Sequence, residues 1–312
     1  MRAVIYDAYG GPEGLRLDEV PDPKPRRGEV LVHVLACGVN LSDWEALTGS
    51  PAYARIGGLF RPRRRILGSD IVGRVLAIGP GVATFQPGQR VMADLVMLRG
   101  GFAEQAVLPA ALCALVPDGL SDAIAAGLPQ PGVIALQGMA DVSAGQRVLI
   151  NGAGGGSGTL ALQLAKAAGA HVTVVDTAAK IAWLAGQGAD QGLDFRSQDF
   201  AVSGQRWDVI LDLVATRPAF AMARIVAPGG RYCAVGGKVR VILPLALSGL
   251  VKKSIRVLAV RTGATETASA AARAVAGDLT PVIHAVLPLD QVPQAMADLG
   301  AGRVMGKLVI RP

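Results

Sequence analysis

Cysteine, histidine, aromatic residues and charge are all scarce in this chain: of 312 residues three are Cys and three are His, 4% are aromatic and 18% are charged. Cys37, Cys113 and Cys233 lie far apart and form no C-x-x-C pair, so neither a disulfide framework nor a cysteine zinc site is signalled. His33, His171 and His284 are isolated from one another, and no histidine cluster offers a metal site. The longest apolar run, Val241 to Val251, is too short to span a bilayer and carries Pro244. The first residues, Met1 to Gly10, enter a strand directly, without a secretory pattern. The expectation is a soluble cytoplasmic protein with no membrane partner. The net charge of +7 is scattered, and its one cluster is Arg61-Pro-Arg-Arg-Arg65. That run lacks the interleaved aromatics on which single-stranded nucleic acids stack, so it reads as a solvated loop, with no nucleic-acid partner.

What the chain has is size, apolar content and glycine. With 51% hydrophobic residues over 312 positions, it is long enough for two well-packed domains. The stretch Val148-Leu-Ile-Asn-Gly-Ala-Gly-Gly-Gly-Ser-Gly-Thr159 reads as an apolar strand, a glycine turn and the first turn of a helix that runs to Gly169. A second apolar strand, His171 to Val175, ends on Asp176. This strand–turn–helix–strand–acid unit is the context that a dinucleotide fingerprint requires. The pyrophosphate must approach free backbone N–H groups at a helix N-terminus, so a side chain is excluded at Gly155 and Gly156. Gly158 lets the helix pack close to the first strand, and Ala153 stands where the first glycine is usual. Ala153, Gly154, Gly155, Gly156, Ser157 and Gly158 are the expected phosphate cradle.

Residues 1 to about 115 are β-rich, with short runs such as Val30–Leu35, Asp70–Leu76 and Arg90–Ala93 bounded by Gly and Pro. From roughly 120 to 260 the pattern alternates strand and helix, with strands near 147–151, 171–175, 192–195, 208–212, 231–236 and 255–260. Their continuous apolar character predicts a parallel, doubly wound, six-stranded α/β sheet buried on both faces. The tail carries helices near 265–276 and 290–299 and a final strand, Gly306 to Ile310, which is expected to return to the β-rich part.

Several further segments, in this order and spacing, resemble the medium-chain dehydrogenase/reductase superfamily, in its zinc-free quinone oxidoreductase-like branch. They are Cys37-Gly-Val-Asn-Leu-Ser-Asp43, Leu67-Gly-Ser-Asp-Ile-Val-Gly-Arg-Val75, Gly79-Pro-Gly-Val82, Phe85-Gln-Pro-Gly-Gln-Arg-Val91, Gly100-Gly-Phe-Ala-Glu104 and the Ala153–Gly158 turn. The resemblance covers nearly the whole chain. It implies a GroES-like catalytic domain over 1–118, a Rossmann nucleotide domain over 119–261 and a C-terminal segment, 262–312, returning to the first, with the active site in the cleft between the domains. The zinc enzymes of the superfamily carry a cysteine ligand where Asn40 stands, a His–Glu pair at Ser69 and Asp70, and a third ligand near Gln130. Asn, Ser and Gln do not replace thiolate and imidazole, so no metal is expected.

Without a metal to stabilise an alkoxide, alcohol oxidation is poorly supported. Reduction of a quinone or of the activated C=C bond of an α,β-unsaturated carbonyl remains feasible, because a few hydrogen-bond donors hold the developing enolate charge. The resemblance places Asn40 and Tyr53 as candidate catalytic donors, each with a plain structural alternative: a turn-capping Asn and a loop Tyr. Asp43, Trp44, Ser69, Asp70 and Gln130 are the candidate substrate pocket, Asp43 serving otherwise as a helix N-terminal acid and Trp44 as core. Substrate specificity is expected in the loop from Leu47 to Arg65. No general acid is evident, and Cys37 reads as inert core.

The coenzyme evidence pulls two ways. Asp176 accepts from ribose hydroxyls and argues for NADH, whereas Thr177, Lys180 and Arg196 suit the 2′-phosphate of NADPH, the habit of the resembled branch. NADPH is favoured. Val235 and Gly236 complete the expected coenzyme set. A homodimer joined through the strand Ser254–Val260 is expected. Two other functions stay open: a catalytically silent NADPH-binding protein, a role known for the relative zeta-crystallin, and an enoyl-thioester reductase whose Arg61–Arg65 run meets an acidic carrier.

Overall fold

The structure, a computed structural model, describes residues 1–56, 58–237, 239–251 and 254–312, the side chains of 248–251 excepted. The chain forms two compact units, one of residues 1–133 with 261–312, the other of residues 134–260. The dividing points differ from those expected from the sequence: 119–133 cluster with the β-rich unit.

The first unit opens with an antiparallel ribbon, β1 (Arg2–Ile5) and β2 (Arg16–Glu19). There follow β3 (Glu29–Gly38), α1 (Leu41–Thr48), β4 (Asp70–Ile78), β5 (Arg90–Asp94), β6 (Gln105–Pro109), β7 (Ala114–Leu115), α2 (Asp122–Ala125) and α3 (Pro129–Gly138), within which the division falls.

The second unit holds β8 (Arg147–Asn151), α4 (Gly156–Ala167), β9 (His171–Asp176), α5 (Ala178–Gly186), β10 (Gln191–Asp194), β11 (Trp207–Asp212), α6 (Ala219–Ile225), β12 (Val226–Ala234), α7 (Val239–Val251) and β13 (Ile255–Val257). All six strands run parallel in the order β10-β9-β8-β11-β12-β13. This is two mononucleotide halves meeting between β8 and β11, the Rossmann arrangement. Val148, Leu149, Ile150, Val172, Val174, Val175, Ile210 and Leu211 are fully buried, as strands covered on both faces require. The sixth strand is shorter than the run 255–260 suggested.

The chain then returns through α8 (Ala264–Val275), β14 (Ile283–Pro288), α9 (Val292–Gly300) and β15 (Lys307–Arg311). β15 pairs antiparallel with β3, so the tail completes the first unit's seven-stranded sheet in the order β14-β15-β3-β4-β5-β7, with β6 on β3. β14 was not expected: Ile283-His-Ala-Val-Leu-Pro288 is half exposed along its length and carries a weak apolar signal. The core of this unit runs from Val30, Val32 and Val34 through Ile71, Val91, Phe102 and Leu108 to Met296 and Ile310.

Candidate active site and coenzyme cradle

In the second unit the glycine turn joins β8 to α4. Gly155 is the residue before the helix, in extended backbone and with no side-chain cap, so the first-turn amides of α4 have no side-chain partner there. A Cβ on Gly155 would meet nothing closer than 3.7 Å, whereas one on Gly158 would lie 2.5 Å from the backbone of Ala153. The two glycines answer different demands: Gly155 leaves the turn bare, and Gly158 lets the helix pack against the backbone of the turn at Ala153. Free amides, a positive helix end and bare backbone fit a pyrophosphate. Gly158→Ala is expected to weaken binding of the nicotinamide coenzyme at least about tenfold, because backbone rather than a mobile side chain opposes the new methyl. Fluorescence titration of the folded variant, checked by circular dichroism, measures it.

Asp176 ends β9 and turns back toward the cradle. Its Oδ2 accepts the Gly154 N–H at 2.8 Å, its Oδ1 accepts the Thr177 N–H at 2.9 Å, and the Lys180 ammonium lies 3.9 Å from Oδ1. Thr177 precedes α5 as its N-cap residue, and Lys180 is buried in that helix. Arg196 is exposed, its guanidinium over the Phe195 ring. Val235 follows β12 and donates its N–H to the Asp212 carbonyl at 2.9 Å, and Gly236 takes a left-handed φ of 70°. Sequence reasoning missed Asp212, at the C-terminal end of β11. Its carboxylate accepts from Asn151 Nδ2 (2.7 Å), from the Val214 and Ala215 amides and from the Tyr232 hydroxyl (2.8 Å). Burial beside this carboxylate pushes the Tyr232 hydroxyl's pKa far up.

The first unit brings together Asn40, Asp43, Ser69, Asp70 and Gln130, and adds three residues not foreseen: Lys307, Asp94 and Arg99. The sheet register explains the gathering. Gly38 ends β3 opposite Asp70, which starts β4, and Asp70 lies opposite Asp94, which ends β5. On the other side Gly38 is opposite Val309, two residues after Lys307. Directly opposed residues share a face, as do residues two apart along a strand, so Lys307, Asp70 and Asp94 share one face at one end of the sheet. Gly38 provides the passage. A Cβ there would lie 2.6 Å from Lys307 Cε, so only a glycine lets the lysine stem cross β3 to reach β4.

Lys307 Nζ donates to Asp70 Oδ2 at 2.9 Å and to Asn40 Oδ1 at 2.5 Å, while Asn40 Nδ2 donates to Ser69 Oγ at 3.0 Å. Asp70 Oδ1 accepts the Gln130 N–H at 3.0 Å, and Gln130 Oε1 accepts the Ser42 hydroxyl. Lys307 is 3% exposed, and Ser69 and Asp70 are fully buried. An ammonium group buried to this degree needs hydrogen-bonding partners of this kind, a paired carboxylate and an amide oxygen.

Asn40 precedes α1 as its N-cap residue, and its own N–H is accepted by Asp43 Oδ2. Asp43 is fully buried, accepts also from the Gly68 N–H, and lies 3.9 Å from Arg99 Nε. Burial pushes its carboxyl up to about 6, opposed by Arg99 and the two amides. Asp94 is 6% exposed; its Oδ1 accepts the Val96 N–H, while its Oδ2 is buried with no hydrogen-bond partner among the described residues. Burial, and after it the charge of Asp70, push Asp94 up to about 7, against the pull of the Val96 amide and Lys307. Three carboxylates thus face two cations in one buried cluster. Cys37, beside it, is fully buried and its thiol is pushed well up by burial, which leaves it unreactive.

One predicted catalytic residue, Tyr53, and one predicted pocket residue, Trp44, sit elsewhere in this unit. The Tyr53 hydroxyl donates to Glu45 Oε1 at 3.1 Å, and Trp44 packs against the core beneath Gly300 of α9, where a Cβ would lie 2.3 Å from its ring. Among the described residues, no three or more His, Cys, Asp or Glu side chains form a group that could hold a metal ion. Lys307 opens the apolar run Leu308-Val-Ile310, a place where a charge is ordinarily solvated, so nothing in the sequence signals its role. Asp94 and Arg99 carried no signal either.

Comparison with known proteins agrees with this layout. Residues 26–118 match the alcohol dehydrogenase GroES-like domain, and residues 187–310 match a family described as zinc-binding dehydrogenase. A chloroplastic quinone oxidoreductase of Triphysaria versicolor is 31% identical over all of this chain and 98% of its own length. The acryloyl-coenzyme A reductase of Metallosphaera sedula is 27% identical over 99% of both. Among solved structures, the quinone oxidoreductase from Coxiella burnetii superposes with a TM-score of 0.86 at 27% identity, over 100% of this chain and 99% of that one.

Proposed function

We propose that this chain, which belongs to the medium-chain dehydrogenase/reductase superfamily in its quinone oxidoreductase-like branch, is a zinc-independent NADPH-dependent reductase of a quinone or of the activated C=C bond of an enone. The observation that carries the reading is the Lys307–Asp70–Asn40–Ser69 network. Where the zinc enzymes hold metal ligands, this chain holds side chains already bonded to one another around an ammonium group.

When bound, the reduced nicotinamide supplies the hydride. The Gly155–Gly158 amides hold the pyrophosphate at the start of α4. Asp176 is drawn inward by two backbone amides and faced by Lys180, which lessens its repulsion of a 2′-phosphate. Lys180, Thr177 and Arg196 are the residues to receive that phosphate. On the substrate side, Asn40 is the donor to the developing enolate oxygen. The Lys307 charge on its Oδ1 polarises the amide and strengthens its N–H bonds as donors, and Ser69 fixes its orientation. No Lewis acid is required of the protein, because the acceptor carbonyl is activated by conjugation. Pairing of two copies through β13, the edge of the six-stranded sheet, and a cytoplasmic location belong to the same reading.

The test is oxidation of NADPH and NADH by the purified protein with a simple quinone and with an enone. Turnover with a higher kcat/KM for NADPH is expected, and Lys180→Ala should cut that preference at least about tenfold. Stoichiometric zinc on elemental analysis, or a strong preference for NADH, overturns the reading. Silence with both acceptors alongside tight NADPH binding favours the silent binding protein. Turnover confined to enoyl thioesters favours the thioester reductase, as the similarity to an acryloyl-coenzyme A reductase allows.

A further inference from the structure

The connection between α1 and β4 is unlike the rest of the surface. From residue 46 to residue 69 there is no Asp or Glu, and there are five arginines: Arg55, Arg61, Arg63, Arg64 and Arg65. Two of them fasten the segment. The Arg55 guanidinium lies over the Tyr9 ring at 4.8 Å, and Arg65 pairs with Asp7 at 2.6 Å. Tyr9 adds a hydroxyl bond to the Gly58 carbonyl. Between these fastenings the segment exposes what proteins usually bury: Ile56 is 74%, Leu59 66% and Phe60 86% accessible. Arg61, Arg63 and Arg64 beside them are exposed, and their side chains meet no ion-pair or hydrogen-bond partner among the described residues.

We propose that this segment docks the protein on an anionic membrane surface, with Phe60, Leu59 and Ile56 entering the headgroup boundary and Arg61, Arg63 and Arg64 on lipid phosphates. Apolar side chains held out to water gain by entering an interface, and each nearby arginine adds attraction to an anionic leaflet. A nucleic acid would use stacking platforms, and the tip offers one aromatic ring beside two aliphatic side chains. An acidic protein would satisfy the arginines but would leave Ile56, Leu59 and Phe60 without an apolar partner. A bilayer needs only this combination, apolar groups flanked by positive charge on a segment that carries no acid of its own. Docking of this kind requires no spanning segment, and among the described residues no helix is long and apolar enough to cross a membrane. It does depart from the expectation of no membrane partner drawn from the sequence. The proposal is independent of the reductase reading, because vesicle binding is measured without coenzyme or acceptor.

The experiment is flotation of the full chain with phosphatidylcholine vesicles, with vesicles that also contain phosphatidylglycerol, and, in competition, with a soluble DNA oligonucleotide. Binding to the anionic vesicles alone, falling steeply with salt, is expected. Phe60→Ser and the triple change Arg61→Gln, Arg63→Gln, Arg64→Gln should each lower that binding at least about tenfold, with Tm and NADPH affinity as in the wild type. The proposal is overturned if anionic vesicles are not bound at low salt. It is overturned equally if the triple change abolishes binding but Phe60→Ser leaves it intact, or if the oligonucleotide displaces the protein fully, since either outcome marks a general polyanion contact.

Discussion

Lys307→Met is expected to lower Tm by about 10 °C, the consequence of losing about 3–5 kcal/mol from the folded state of the first unit. The methionine fills the lysine's space, so the loss is electrostatic rather than a cavity. Asp70 is fully buried, and without the ammonium its Oδ2 loses the hydrogen bond it now has at 2.9 Å. A buried carboxylate deprived of its cation is costly, whereas removing both charges is often nearly neutral. The double variant Lys307→Met with Asp70→Asn should therefore recover most of the lost stability. Thermal denaturation of the three proteins at neutral pH checks this. A single variant melting with the wild type would show that the pair contributes little. The double variant has a second use: it keeps the fold but removes the charge beside Asn40 Oδ1, so on the proposed reading kcat for an enone should fall while coenzyme affinity in the second unit holds.

Asp94→Asn carries the second large effect, and it depends on pH. Burial raises the Asp94 carboxyl in the folded protein to about 7 from an ordinary value of 3.8. Between those values the folded state holds a proton that the unfolded state has released. Stability from this group therefore falls as pH rises from about 4 to about 7, and stays low above. About three pKa units correspond to about 4 kcal/mol at most. Asparagine keeps an acceptor for the Val96 N–H, places an amide where Oδ2 has no donor, and bears no charge at any pH. Asp94→Asn is expected to match the wild type near pH 4 and to melt several degrees higher at pH 8. Tm measured across that range is the check, and parallel curves would refute it.

The two sites differed in how legible they were. The coenzyme cradle could be read directly: strand, glycine turn, helix and Asp176 follow one another within a single βαβ unit, and each residue type answers a local demand. Gly155 must leave backbone bare, Gly158 must admit the turn backbone at Ala153, and β9 must end on an acid. Both faces of that sheet are covered, so its strands are continuous apolar runs, visible without knowing their partners. Even here the outcome of one residue was not local. Asp176 was expected to reach the ribose or to turn away, and the structure engages it with the Gly154 amide of the turn that it follows.

In the first unit the resemblance pointed to Asn40, Ser69, Asp70 and Gln130, but not to what holds them. Lys307 stands 237 positions from Asp70 in the chain. Nothing in Gly306-Lys-Leu-Val-Ile310 says that the lysine points inward, because a charge at the start of a strand is ordinarily solvated. Asp94 likewise closes a short apolar run that reads as a strand end entering a loop. By itself the sequence determined the nucleotide-binding sheet, its phosphate turn and the two-unit plan, because those patterns repeat at helical or strand period over neighbouring residues. Only the tertiary structure decided the charge of the first unit's buried cluster. The register of β15, β3, β4 and β5 stacks the ends of four strands that are distant in sequence, and the bare Gly38 between them lets one lysine reach across to an aspartate.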